Sequence, residues 1–110
     1  MKMKLINLAT FFRKGESFKK FCQQNSLNIA SEVIEIYMKD SIDLESNLAF
    51  FEIEKTEGRT TIILNDIKYI NLLDFHYLLD FIAESRKEGR KGISDEEIAK
   101  LLFSYAVNDA

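Results

Sequence analysis

Cysteine is nearly absent from this chain, and proline and tryptophan are missing altogether. With Cys22 alone, no disulfide can form within the chain and no Cys-based zinc site can be assembled from it. A single histidine, His76, excludes His-rich metal sets and paired-histidine acid–base schemes within one chain. Without proline, no rigid linker separates one part of the sequence from another, and neither repeats nor low-complexity segments interrupt it. No apolar run approaches eighteen residues, and Lys2, Lys4 and Asn7 break up the opening, so neither a membrane span nor a secretory signal is expected. These absences predict a cytoplasmic protein.

What remains is enough for one self-supporting core. The chain has 110 residues, 46% of them apolar and 30% charged, the balance of a single folded domain, 1–110, not of a disordered acidic chain. A chain of this size buries about two thirds of its extended surface on folding, so it needs neither metal nor disulfide support.

The net charge of −3 hides a strong asymmetry. Residues 1–31 carry a net +5, whereas 32–57 carry a net −6 through Glu32, Glu35, Asp40, Asp43, Glu45, Glu52, Glu54 and Glu57. That acidic middle disfavours nucleic acid as its partner and suits a basic protein surface, so these eight residues are the candidate protein-binding set. The ordinary alternative is a solvated face.

Periodicity supplies the elements. Leu5, Leu8, Ala9 and Phe12 line one face of a helix that ends near Gly15, and Ser17 caps a second with Phe18, Phe21 and Cys22 inside. Ala30, Val33, Ile34, Tyr37 and Met38 form a third stripe, with Ile36 off it, capped at Asn28 or Ser31 and ending near Asp40. Residues 48–55 and the β-branched Thr60-Thr61-Ile62-Ile63-Leu64 read as a hairpin turned at Glu57-Gly58-Arg59, although 43–56 also fits a helix. The longest helix is expected over 71–87, apolar around much of its girth, with Gly89 as its C-cap. Ser94 with Glu97 makes a capping box for the last helix, Ile93 and Ile98 its hydrophobic staple, and fraying is expected from Asn108. The expected fold is α+β: a compact, mainly helical single domain with a β-hairpin, or alternatively an all-helical bundle.

No catalytic or cofactor-binding set emerges, and none is expected. His76 with Asp80 lies four residues apart on one helical face, but no nucleophile accompanies the pair. Cys22 follows Phe18 and Phe21 into a core position, with Lys19 three residues before it. Asp40, Asp43 and Glu45 lack the central glycine and terminal glutamate of a calcium loop, and Asp66 suits a turn better than a metal. The Gly89-Arg90-Lys91-Gly92 stretch lacks the Lys-Ser/Thr and preceding strand of a nucleotide loop. Tyr37, Tyr69, Tyr77, Tyr105 and the Phe50–Phe51 pair are candidate aromatic anchors, each of which also suits a core.

The opening Met3-Lys4-Leu5-Ile6-Asn7-Leu8-Ala9-Thr10-Phe11-Phe12, the acidic middle and the small size resemble the bacterial immunity proteins encoded beside colicin-type and contact-dependent growth-inhibition toxins. The resemblance implies tight cytoplasmic binding of one cognate toxin, often a nuclease whose basic site is covered by carboxylates. It transfers no individual residue, because that class spans many folds. The expected function is therefore bacteriocin-type immunity: a toxin inhibitor that is not an enzyme. The alternative is a small nucleic-acid-associated regulator using basic clusters at 13–20 and 86–91, should the two converge. A homodimer through the apolar segment 72–82 is compatible with either.

Overall fold

The computed structural model describes residues 3–87 and 92–108. The chain runs α1 (Leu5–Arg13), α2 (Phe18–Gln24), β1 (Ile34–Lys39), β2 (Leu48–Glu52), α3 (Ile53–Thr56), β3 (Thr61–Leu64), β4 (Ile67–Asp74), α4 (Phe75–Ser85) and α5 (Asp95–Asn108). The four strands form one antiparallel, curled sheet in the order β2-β1-β4-β3, which makes the fold α+β.

Local chemistry explains most boundaries. Ser17 accepts the Lys20 amide and starts α2, Asp74 accepts the Tyr77 amide and starts α4, and Ser94 accepts the Glu97 amide and starts α5. Gly15, at φ 94, ends the first helical segment in the left-handed region that glycine occupies without cost. Asn65 and Asp66, both at positive φ, make the two-residue turn joining β3 to β4. Asp66 is thus a turn residue.

Three expectations need correction. The stripe at 30–38 is no helix: Ile34–Lys39 is a strand at the centre of the sheet, buried on both faces, and Ile36 is fully buried. Central strands read as near-continuous apolar runs, which periodicity does not separate from a helix. The helix expected over 71–87 begins only at Phe75, because Ile67–Asp74 pairs with both β1 and β3. The expected hairpin contains two real strands, but they do not pair with each other. β2 pairs with β1 and β3 with β4, while Glu57 and Gly58 at positive φ close the single turn of α3. The Gly89 cap lies outside the described residues, as does most of the fraying expected at the C-terminus.

Helices cover one face of the sheet. Ile34, Ile36 and Met38 of β1 and Leu72 and Leu73 of β4 join Leu5, Leu8, Phe12, Phe21, Phe75, Leu78, Ile98 and Leu102 in a single core. A β-bulge permits the two adjacent leucines: Ile36 pairs with Leu73 and Tyr37 with Asn71, so Leu72 is the extra residue. Phe50 ties β2 into this layer, its ring 5.0 Å from Phe21 and 5.8 Å from Phe75.

The opposite face is filled differently. Tyr37 is fully buried there, beneath the Phe51 ring at 5.3 Å, and Phe51 also meets Tyr69 at 5.5 Å. The Tyr37 hydroxyl donates to the Arg59 carbonyl, which brings the segment after α3 down over the sheet. Glu35 completes this layer: its carboxylate accepts Asn71 Nδ2 at 2.8 Å and Thr56 Oγ1 at 3.0 Å.

Candidate protein-binding surfaces

The eight candidate acids do not form one patch. The β1–β2 pairing sets Ile34 opposite Glu52 and Met38 opposite Leu48, which sends the acids to opposite ends of a hairpin. Six residues of strand separate those ends by roughly 17 Å. Glu32, Glu52, Glu54 and Glu57 lie at one end, and Asp40, Asp43 and Glu45 in the connection at the other. Glu35 belongs to neither group, since its carboxylate is spent on Asn71 and Thr56 inside the fold.

The first end is built, not merely exposed. Glu52 accepts the Asn28 amide at 2.6 Å and pairs with Lys55 at 3.1 Å. Glu54 accepts the Ser31 hydroxyl at 2.5 Å and the Glu32 amide at 3.1 Å. Two carboxylates thereby pin the loop 28–32 against α3. The Asn28 amide, then Lys55, holds the Glu52 carboxyl below its usual range. The Ser31 hydroxyl, then the backbone amides of Glu54 itself and of Glu32, does the same for Glu54. Both therefore keep their negative charge below the pH at which a free glutamate loses it. Glu32 and Glu57 are exposed beside them, Glu57 with Arg59 at 3.4 Å. At the far end Glu45 pairs with Lys4 at 2.9 Å, Asp43 accepts the Glu45 amide at 2.8 Å, and Asp40 stands exposed.

Cys22 is buried, and that burial, with a smaller contribution from Glu52, raises its thiol pKa. His76 lies exposed on α4, its ring 6.2 Å from Phe18. Among the described residues, no three His, Cys, Asp or Glu side chains gather as a metal-ligand set.

The tyrosines divide sharply. Tyr37 and Tyr69 belong to the second face of the sheet, whereas Tyr77 of α4 and Tyr105 of α5 stack at 5.2 Å with their planes 29° apart. They line a cleft of about 280 Å³ whose floor is Leu72, Leu73 and Ala106. A neighbouring cleft of about 190 Å³ shares Asn71, Leu72 and Ala106 and adds Ile42 and Val107. Leu101, Tyr105 and Val107 keep 49%, 47% and 46% of their surface exposed. Twenty-eight positions separate the two tyrosines, and only the packing of α5 beside β4 and α4 brings them together. Asp74 lines this cleft, and the exposed Asp80 and Glu97 lie further along α4 and α5; nothing in the sequence set these three apart from other exposed acids.

The two basic clusters converge in part. Arg13 and Lys14 share a cleft of about 930 Å³ with Arg86 and Lys87. Acids temper it: Arg13 is held by Asp95 at 2.8 Å and by the Ile93 carbonyl at 2.6 Å, and Lys87 pairs with Glu84 at 3.0 Å. Lys19 and Lys20 are exposed on α2, and Lys20 is paired with Glu16. Arg90 and Lys91 lie outside the described residues. No known protein family, curated protein or solved structure matches this chain.

Proposed function

We propose that this protein works by binding, as an immunity-type inhibitor that occupies the basic surface of a cognate toxin, a nuclease being the toxin class that best suits a carboxylate cover. The observation that carries this reading is the pinned acidic end. Glu52 and Glu54 are fixed by amides and a hydroxyl, with Glu32 and Glu57 exposed alongside. Carboxylates held in place lose little freedom when a cationic surface meets them, and their field accelerates encounter.

The test is affinity capture from native cells with the immobilised protein, followed by assay of what is retained. A basic domain held near one-to-one, whose toxicity or nuclease activity falls when this protein is added back, is the expected result. In that pair, reversing Glu32, Glu54 and Glu57 to lysine should slow association most at low salt. Retained proteins whose activities are all indifferent to this one would end the inhibitor reading.

A second reading rests on the cleft shared by Arg13, Lys14, Arg86 and Lys87. Four cations around one concavity suit a phosphate backbone, in the manner of a nucleic-acid-associated regulator. Mobility shift of mixed RNA or DNA, weakening steeply with salt, would favour it. No shift at low salt would remove it.

A further inference from the structure

We propose that the α4–α5 surface around Tyr77 and Tyr105 is the apolar docking site of the same complex, built to seat an apolar side chain from a basic protein. The inference rests on the binding reading above and adds to it the surface that holds the partner once charge has delivered it.

Three observations converge. The acidic end of the β1–β2 hairpin offers carboxylates but no exposed aromatic, whereas interface energy concentrates in a few desolvated aromatic or arginine anchors. Stacked Tyr77 and Tyr105 form such an anchor at a cleft lined also by Leu72, Leu73 and Ala106, with Asn71 and Asp74 as its other polar residues. Leu101 and Tyr105, one turn apart on the same side of α5, keep 49% and 47% of their surface in water, and Val107 at the second cleft keeps 46%.

Charge identifies the occupant. Asp74 ends β4 beside the cleft, Asp80 lies one turn along α4 from Tyr77, and Glu97 lies one turn before Leu101 and two before Tyr105 on α5. All three acids are exposed. α4 contains no lysine or arginine, and the one base of α5, Lys100, is paired with Glu96 at 3.3 Å. An apolar centre with an anionic rim repels acidic partners and selects a cationic one. A second copy of this chain would bring the same three acids against themselves and is disfavoured on that ground.

The test places a photoreactive benzoylphenylalanine at position 105 in one variant and at position 57 in another. Each is irradiated in lysate from native cells, after the urea midpoint has shown that the fold is kept. Tyr105 is 47% exposed, so a larger ring there need not disturb the core. The expected result is one basic protein crosslinked from position 105, lost when unlabelled wild-type protein competes. Combining the probe with Asp80→Lys and Glu97→Lys should reduce that crosslink about ten-fold. With the partner in hand, Tyr105→Ala should weaken binding by roughly thirty-fold or more, as hot-spot aromatics do. Crosslinking from position 57 without any from position 105 would overturn the docking site and leave the binding function standing. Silence from both positions would overturn both. Crosslinking from position 105 to an acidic protein, or to a second copy of this chain, would overturn the assignment of the partner.

Discussion

On one face of the sheet, Ile34, Ile36, Met38, Leu72 and Leu73 meet four helices through apolar side chains. On the other, Tyr37, Glu35 and Asn71 meet a one-turn helix and its following loop largely through hydrogen bonds. The first layer is buried throughout, whereas in the second Tyr37 and Thr56 are buried but Glu35 and Asn71 are half-buried, and the two answer differently to change. The apolar layer is graded, since a lost methylene costs in proportion to the space it leaves. The polar layer depends on completeness, because removing one partner leaves the others short of a hydrogen bond. Among the described residues no buried side-chain polar atom lacks a partner, so this second layer is finished as it stands.

The contrast can be broken by mutation. Phe75→Ala removes a fully buried ring that touches Phe12, Phe18, Phe21 and Phe50, and should cost about 3–5 kcal/mol in urea denaturation. Glu35→Ala should cost about 1–3 kcal/mol by taking the acceptor from Asn71 Nδ2 and leaving Thr56 Oγ1 only its long contact with the Ile53 carbonyl to donate to. A double-mutant cycle with Asn71→Ala should come out clearly non-additive. Additive losses would mean that the second face is no network. Ser94→Ala, outside either layer, provides the yardstick at about 1 kcal/mol for a lost helix cap.

The smallest expected effect is that of pH at the pinned loop. Glu52 and Glu54 have carboxyl pKa values lowered by folding, so the folded state binds fewer protons than the unfolded one. Their contribution is complete above the ordinary glutamate pKa, about 4.3, and is lost as pH falls through the lowered values. Urea midpoints between pH 6 and 3 should therefore fall less steeply in the Glu52→Gln/Glu54→Gln variant than in the parent. Equal slopes would show that the pinning does not contribute to stability.

Where local chemistry decides, the sequence was readable: Ser17, Ser94 and the Leu5–Phe12 stripe are placed as their side chains predict. The two central strands were not, each for its own reason. β1 is buried on both faces, which erases the alternation that marks a strand. The β4 bulge turns Leu72 and Leu73 to one side, which imitates a helical stripe running on into α4. Strand pairing escaped too, because Glu57-Gly58-Arg59 carries the residues of a hairpin turn while closing a helical one. For the candidate acids, charge density marked a true concentration but not its division: only the register of β1 with β2 separates Glu32, Glu52, Glu54 and Glu57 from Asp40, Asp43 and Glu45. Glu35 looked like its neighbours and is consumed inside the fold. The stacking of Tyr77 on Tyr105 is a tertiary event with no local trace.

The packing of α1 against α5 sets a clock on biosynthesis. Leu5, Leu8, Ala9 and Phe12 are buried in a core that α5 helps to close, and Thr10 and Arg13 both bond to Asp95 at its start. At roughly 5–20 residues per second, the ribosome needs about 4 to 17 seconds to travel the 85 positions from Thr10 to Asp95. Throughout that interval the segment of the first helix lacks the last partner of its apolar stripe. The core therefore closes only once the ends of this stretch of chain have both been made, so an unfinished chain that stops short of α5 has no complete fold with which to bind anything.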